Sequence, residues 1–236
     1  PVATYLQRIR QVCDRYGVLL ILDEVMSGMG RTGHLFACAQ DGVVPDILTI
    51  AKGLGAGYQP IGAMMTTDRI YSTIVNGSGY FQHGHTYMGH ATACAAALAV
   101  QRVIQRDNLL ANVLQRGEQL RAELAHQVGS HPNVGDIRGR GLFVGVEFVG
   151  DKRSKAPLDP AARTHAALKK KAMEYGLLMY PSAGTVDGAQ GDHVLLAPPF
   201  ICTAADITDI VARFARAVFA VLPRHAPTGC HDRLAA

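Results

Sequence analysis

The stretch Val18-Leu19-Leu20-Ile21-Leu22-Asp23-Glu24 decides how this chain is read. Five aliphatic residues in unbroken succession are the pattern of a strand covered on both faces in a parallel sheet. Two carboxylates follow at once, at the end where open parallel sheets bind ligands. An acid set straight after a buried run needs a charged or hydrogen-bonding partner. Upstream, Leu6, Ile9, Val12, Cys13 and Tyr16 recur at spacings of three and four, so residues 2–16 read as an amphipathic helix closed by Gly17. Downstream, Ile47-Leu48-Thr49-Ile50-Ala51 repeats the apolar run after Pro45-Asp46 and ends on Lys52. Residues 61–66 give a third run.

Helices and strands alternate from there. Residues 91–104 are Ala-rich and strongly helix-forming, and 109–128 read as a long amphipathic helix. Beyond His131-Pro132 the texture changes. Residues 134–137 and 142–148 look extended, punctuated by Gly139, Gly141 and Gly145; 177–180 and 194–196 look extended as well. Helices are expected over 161–175 and over 205–221, the latter capped by Thr203. No internal repeat or low-complexity tract interrupts the pattern. The alternation argues for the α/β class: a doubly wound sheet over residues 1–106, then a smaller α+β domain with its connecting helix over 107–236.

The chain has 236 residues, 48% of them apolar and 18% charged, with a formal net charge of +4. That is long enough for a buried core and too apolar for a disordered chain. The charge excess is small and scattered, so no nucleic-acid partner is expected. Lys169-Lys170-Lys171 is the tightest basic run and reads as a solvated helix face. No stretch reaches the roughly 18 consecutive apolar residues of a membrane span. With no secretory or transit signature either, a soluble, cytoplasmic protein without a membrane partner is expected. The five cysteines (Cys13, Cys38, Cys94, Cys202, Cys230) share no metal- or disulfide-type spacing and read as free thiols of a reducing compartment. The chain opens on Pro1 and enters a helical pattern almost at once, so it is expected to begin inside something larger.

Chemistry gathers at the ends of the first two apolar runs, on Asp23 and Lys52. One reading is that the two pair with each other or cap the helices that follow. Against it stands Gly53-Leu54-Gly55-Ala56-Gly57, a loop of mostly small residues after Lys52 that lets backbone approach a ligand. A lysine held there and partly desolvated can serve as an amine nucleophile. Buried lysine with buried aspartate suits a Schiff base on pyridoxal phosphate, the carboxylate keeping the pyridine nitrogen protonated.

Other patterns invite sharper readings than they support. Gly28-x-Gly30-x-x-Gly33 formally matches the dinucleotide fingerprint, but residues 23–27 separate it from the strand and no long helix opens at Gly33. His83, His85 and His90 lack metal-site spacing, so no metal is expected and loop contacts are the plainer reading. Arg138 and Arg140 have the fork that grips a carboxylate, yet a structural ion pair is the simpler assignment.

At this point the chain resembles the class III (ω-amino-acid type) aminotransferases. The resemblance is carried by five ordered blocks: Leu20-Ile21-Leu22-Asp23-Glu24-Val25 with Gly28-Met29-Gly30-Arg31-Thr32-Gly33; Pro45–Leu54, ending in Ala51-Lys52-Gly53-Leu54; His83-Gly84-His85-Thr86-Tyr87 with Gly89-His90; Ile137-Arg138-Gly139-Arg140-Gly141-Leu142; and Leu196-Ala197-Pro198-Pro199-Phe200. It implies part of the large mixed-sheet domain of a fold type I pyridoxal-phosphate enzyme, followed by the small C-terminal domain. It further implies that Lys52 binds the cofactor and shuttles the substrate proton, that Asp23 pairs with the pyridinium nitrogen, and that Val25 packs on one ring face. Thr86 would donate its hydroxyl to the cofactor phosphate of a partner subunit, making the enzyme a homodimer with a shared site. Gln82 and His83 lie near that contact without an assigned role. The implied reaction moves an amino group from an amine or ω-amino acid to a keto acid such as pyruvate; a decarboxylase or aminomutase on the same fold is the alternative chemistry.

The resemblance is to the C-terminal half of chains close to twice this length. The phosphate-cradling loop, the aromatic on the other ring face and several sheet strands would therefore come from elsewhere. Gln190 stands near a position where related enzymes often carry a carboxylate-gripping arginine. A second expectation follows: that this polypeptide alone is a catalytically incompetent fragment, poorly soluble because sheet edge and interface are left uncovered.

Overall fold

The computed structural model describes residues 2–222. They form two compact units. The first comprises residues up to Gly117 together with Arg140–Phe143 and Pro198–Cys202; the second comprises Glu118–Gly139, Val144–Ala197 and residues from Thr203 onward. Cys230 lies outside the described residues.

The first unit opens with helix α1, Tyr5–Tyr16, which ends where Gly17 takes φ 64°. The Val18 N–H returns to the Cys13 carbonyl, a left-handed closure that favours glycine. Strand β1 (Ile21–Asp23) pairs in parallel with β2 (Ile47–Ile50), in the register Ile21↔Ile47 and Asp23↔Thr49. Strand β3 (Ala63–Thr66) pairs antiparallel with β2, so the sheet is mixed, in the order β1-β2-β3. This is a three-stranded sheet rather than the doubly wound one expected from the apolar runs. The covered first strand is also corrected. Of the run 18–22, Leu20 is buried, whereas Ile21 is 59% and Val18 55% exposed. An apolar run of this kind needs a layer on each side, and here β1 has none over one face. The small core of this sheet gathers Leu48, Ile50 and Met29, with Leu22, Phe36 and Leu54 packed against them.

Helices α2 (Asp68–Asn76) and α3 (Ala91–Arg106) follow, then α4 (Leu109–Val128). The glycines of the 28–33 segment answer packing demands. At Gly30 (φ 99°) a side chain would stand 2.9 Å from Leu110 and 3.0 Å from the Phe200 ring, and at Gly33 (φ 91°) it would enter the Leu114 side chain. Together with the missing helix at Gly33, this leaves the fingerprint-like spacing a close-packing device.

In the second unit, β4 (Val134–Arg140), β5 (Phe143–Phe148), β6 (Tyr180–Ser182) and β7 (Asp192–Leu196) form a sheet in the order β4-β5-β7-β6. β5 alternates strictly, sending Val144, Val146 and Phe148 inward, and β7 answers with Val194 and Leu196. Helices α5 (Thr164–Glu174) and α6 (Ala204–Val221) supply Leu168, Ile207 and Phe214, all fully buried. Thr203 caps α6 through a reciprocal box: its hydroxyl accepts the Asp206 N–H while the Asp206 carboxylate accepts the Thr203 N–H. α5 begins with no side-chain cap of its own; buried Asp192 of β7 accepts from the His165 backbone N–H at 2.9 Å and from its ring at 2.7 Å.

Candidate active site

Asp23 is the last residue of β1, and Lys52 follows β2 after Ala51, so both stand at the carboxyl ends of neighbouring parallel strands. Both are exposed, which corrects the expectation of a buried lysine and a buried aspartate: no described residue of this unit covers them. They also do not pair. Ion pairs of the unit lie elsewhere, among them those of Asp46 with Arg10 and Arg69, of Asp14 with Arg10, of Asp107 with Arg106 and of Asp41 with Arg140. Asp23 is oriented locally, one carboxylate oxygen accepting the Val25 N–H at 2.9 Å. β1 ends at Asp23, so Val25 lies in the following turn and reaches Asp23 through its backbone rather than by strand alternation. Lys52 has φ 41°, a left-handed backbone that costs a residue with a side chain about 1 kcal/mol or more. The loop after it is tight: a side chain on Gly53 would stand 3.2 Å from Met29, and one on Gly55 2.8 Å from the Gln59 carbonyl.

The residue after Asp23 is the deeply buried one. Glu24 is 3% exposed, and its two carboxylate oxygens accept the backbone N–H groups of Ala37 (2.6 Å) and Cys38 (2.7 Å). That satisfies the first turn of the 3₁₀ segment Ala37–Asp41. Burial, reinforced by the Glu24 carboxylate, pushes the Cys38 thiol up to about 12. At the opposite end of the strands, Asp46 accepts from the Leu20 N–H, Arg10 and Arg69, each at 2.8 Å. Its carboxyl is held at about 2, first by the Leu20 amide and then by Arg10. The rule used at Asp23, that an acid beside an apolar run needs a partner, applies equally to Asp46 and Glu24 and finds its partners there.

Thr86 lies within residues 75–92, exposed throughout, where Tyr80, Phe81, Tyr87 and Met88 also face outward. His90 accepts the Ala93 N–H through Nδ1 and so caps α3, the plain reading of that histidine. Arg138 and Arg140 are both engaged by carboxylates. Arg138 meets Asp136 and Glu147 at 2.8 and 2.6 Å; Arg140 meets Asp41 bidentately at 2.6 and 3.0 Å, holding the Asp41 carboxyl below its usual range. Gln190 folds back on its own loop, donating to Asp187 at 2.9 Å. Sequence reasoning missed Arg31, which donates to the Leu142 and Pro198 carbonyls at 3.0 and 2.6 Å and lies over the Phe200 ring at 4.6 Å. Among the described residues no cluster of three or more metal-ligating side chains forms, and no helix is long and apolar enough to cross a membrane.

The family model of class III aminotransferases matches residues 1–218. The chain belongs to the class III aminotransferase family. This class III chain is 48% identical over 219 residues to an aminotransferase of Gibberella zeae, covering 92% of itself and 43% of that relative. It is 39% identical over 216 residues to the taurine–pyruvate aminotransferase of Bilophila wadsworthia, covering 90% of itself and 47% of it. Among solved structures, an amine transaminase from an uncultivated Pseudomonas species in its PLP-bound form superposes with a TM-score of 0.85 at 41% identity, over 93% of this chain and 48% of that one. The fold is therefore that of the fold type I transaminases, and the class III chain spans about half the length of the relatives it matches.

Proposed function

We propose that this chain carries the lysine-and-aspartate part of a pyridoxal-phosphate transaminase site, moving an amino group from an amine or ω-amino acid to a keto acid such as pyruvate. One observation carries the reading: in a class III chain, an exposed amine and an exposed carboxylate stand at the carboxyl ends of adjacent parallel strands, neither with an ionic partner among the described residues. The residues fit the group. One Asp23 oxygen accepts the Val25 N–H, leaving the other for a protonated ring nitrogen, and Lys52 is followed by a loop of mostly small residues. Bound pyridoxal phosphate supplies an electron sink for a substrate carbanion. Lys52 holds the cofactor through its amine and moves the proton at the substrate's amine-bearing carbon. Asp23 keeps the ring nitrogen protonated by placing a negative charge against it. Val25 would pack on the cofactor ring, and Thr86 would hold the phosphate of the cofactor bound by a partner subunit.

The homodimer is supported by the exposure of residues 75–92 around Thr86. A cytoplasmic location is supported by the free thiols of Cys13, Cys38 and Cys94. We assign residues 1–106 to the cofactor-binding domain and 107–236 to the small domain, with α4 as the connecting helix. Pyruvate as acceptor is supported by the taurine–pyruvate relative.

The test is spectroscopic. The chain with added pyridoxal phosphate should show the visible band of a lysine-linked cofactor, lost in Lys52→Ala; a band that survives the substitution overturns the assignment. Release of carbon dioxide, or an amino shift independent of keto acid, would replace transamination by the decarboxylase or aminomutase chemistry. A second reading is favoured by the exposed faces of β1 and β3 and by the half-length coverage: the chain alone is incompetent and acts with a complementary polypeptide. It predicts no band until that polypeptide is added.

A further inference from the structure

Glu24 is a deeply buried carboxylate directly beside the residue proposed to meet the cofactor, yet nothing in the proposed chemistry uses it. Its side chain spans from the end of β1 to the backbone N–H groups of Ala37 and Cys38, thirteen and fourteen residues further on. Its backbone is fixed as well: its N–H donates to the Thr49 carbonyl of β2 at 2.9 Å, and its carbonyl accepts the Gly28 N–H at 2.9 Å. Thr49 is the register partner of Asp23. Space is reserved for the carboxylate, since a side chain on Gly28 would stand 3.0 Å from one Glu24 carboxylate oxygen and 2.8 Å from its carbonyl. A charge this buried is tolerated because both oxygens meet donors at the start of a 3₁₀ turn.

From these contacts we infer that Glu24 is a positioning residue: it staples the end of β1 to the 37–38 turn and thereby fixes the backbone that aims the Asp23 carboxylate. Without the staple, β1 is a three-residue strand with one paired edge, and Asp23 is its terminal residue. Strand ends of that length fray readily. Glu24 thus acts through Asp23, whose own carboxylate accepts the Val25 N–H. The role in aiming at a cofactor rests on the transaminase reading; the staple itself does not.

The experiment is hydrogen exchange on the full chain, without cofactor, comparing the unmutated protein with Glu24→Gln and Ala37→Pro. Gln keeps the shape but retains a single acceptor oxygen, turning its amide toward the other N–H. Ala37→Pro deletes one donor and leaves Glu24 intact. Ala37 is the first residue of its turn and follows Phe36 at φ −121°, ψ 133°, a setting proline accepts. Expected is at least about tenfold faster exchange in residues 21–28 for both variants, as well as in 38–42. Faster exchange confined to 38–42 would show that Glu24 caps the turn and does nothing for Asp23, and would overturn the proposal. A second arm adds pyridoxal phosphate and follows the visible band against pH. Glu24→Gln should keep the lysine-linked band while its pH midpoint moves in the same direction as in Asp23→Asn; an unmoved midpoint counts against positioning. If the unmutated chain forms no band at all, the chain alone is incompetent, and the exchange result still decides the staple.

Discussion

Asp46→Asn tests whether the acid before the second apolar run holds the sheet unit together. In the folded chain its two oxygens take three donors: the Leu20 N–H, Arg10 and Arg69. These tie α1, the entry to β1 and α2 to one side chain. The carboxyl is held at about 2 against an ordinary 3.8. Each pKa unit is worth 1.36 kcal/mol, which puts the contribution at about 2 kcal/mol. Arg69 is 70% exposed and screened by solvent, so roughly 1–2 kcal/mol is the working figure. The sign follows from proton binding. The folded pKa lies below the unfolded one, so the unfolded chain binds more protons in acid. The stabilisation is complete above about pH 4 and is lost as pH falls through about 2. Urea denaturation followed by circular dichroism should therefore show the variant weaker by roughly 1–2 kcal/mol at pH 7. It should also show a flatter loss of stability between pH 4 and 2 than the unmutated chain has. An unchanged midpoint at pH 7 together with an unchanged acid limb would refute the tie.

Three further outcomes are expected. Cys38, pushed up to about 12, carries about one thiolate in ten thousand at pH 8, so iodoacetamide should label exposed Cys94 and leave Cys38 unmodified; equal labelling by peptide mass mapping would contradict the burial of Cys38. Gly33→Ala should cost about 2 kcal/mol or more in denaturant melts, because φ 91° and the Leu114 side chain both oppose a Cβ. Thr203→Ala removes one half of the α6 capping box and should cost about 1 kcal/mol, with faster amide exchange in the first turn of α6 and little change elsewhere.

The helices were legible because their signals are local. The Ala-rich run became α3, the 109–128 periodicity became α4 to the residue, and Thr203 was placed as the cap of α6. The strand cores were legible too, but not their surroundings. Residues 18–22 carry the composition of a covered strand, while coverage depends on layers that a run of five residues does not encode; β1 holds three residues with Ile21 facing outward. β3 returns antiparallel beside β2, and the 51–62 connection holds no α-helix of the kind a parallel crossover uses. Asp23 and Lys52 were found because an ionisable residue after an apolar run is unusual. The partners of Glu24, Asp46 and Arg140 lie 13 to 99 residues away in sequence, beyond any spacing rule. The contacts of Arg31 gave no signal beyond its place in the 28–33 block, since its acceptors are backbone carbonyls.

The left-handed backbone at Lys52 sets stability against reactivity at a single position. Glycine adopts φ 41° without the steric cost that any side chain incurs. Lys52→Gly should therefore fold more stably than Lys52→Ala, by up to about 1 kcal/mol. The chain would be steadier with the one residue that has no side chain, and so no amine. Lineages of this sequence in which the nucleophile is no longer under selection should then drift toward glycine at position 52. That drift would be a record of lost activity written by folding energetics alone.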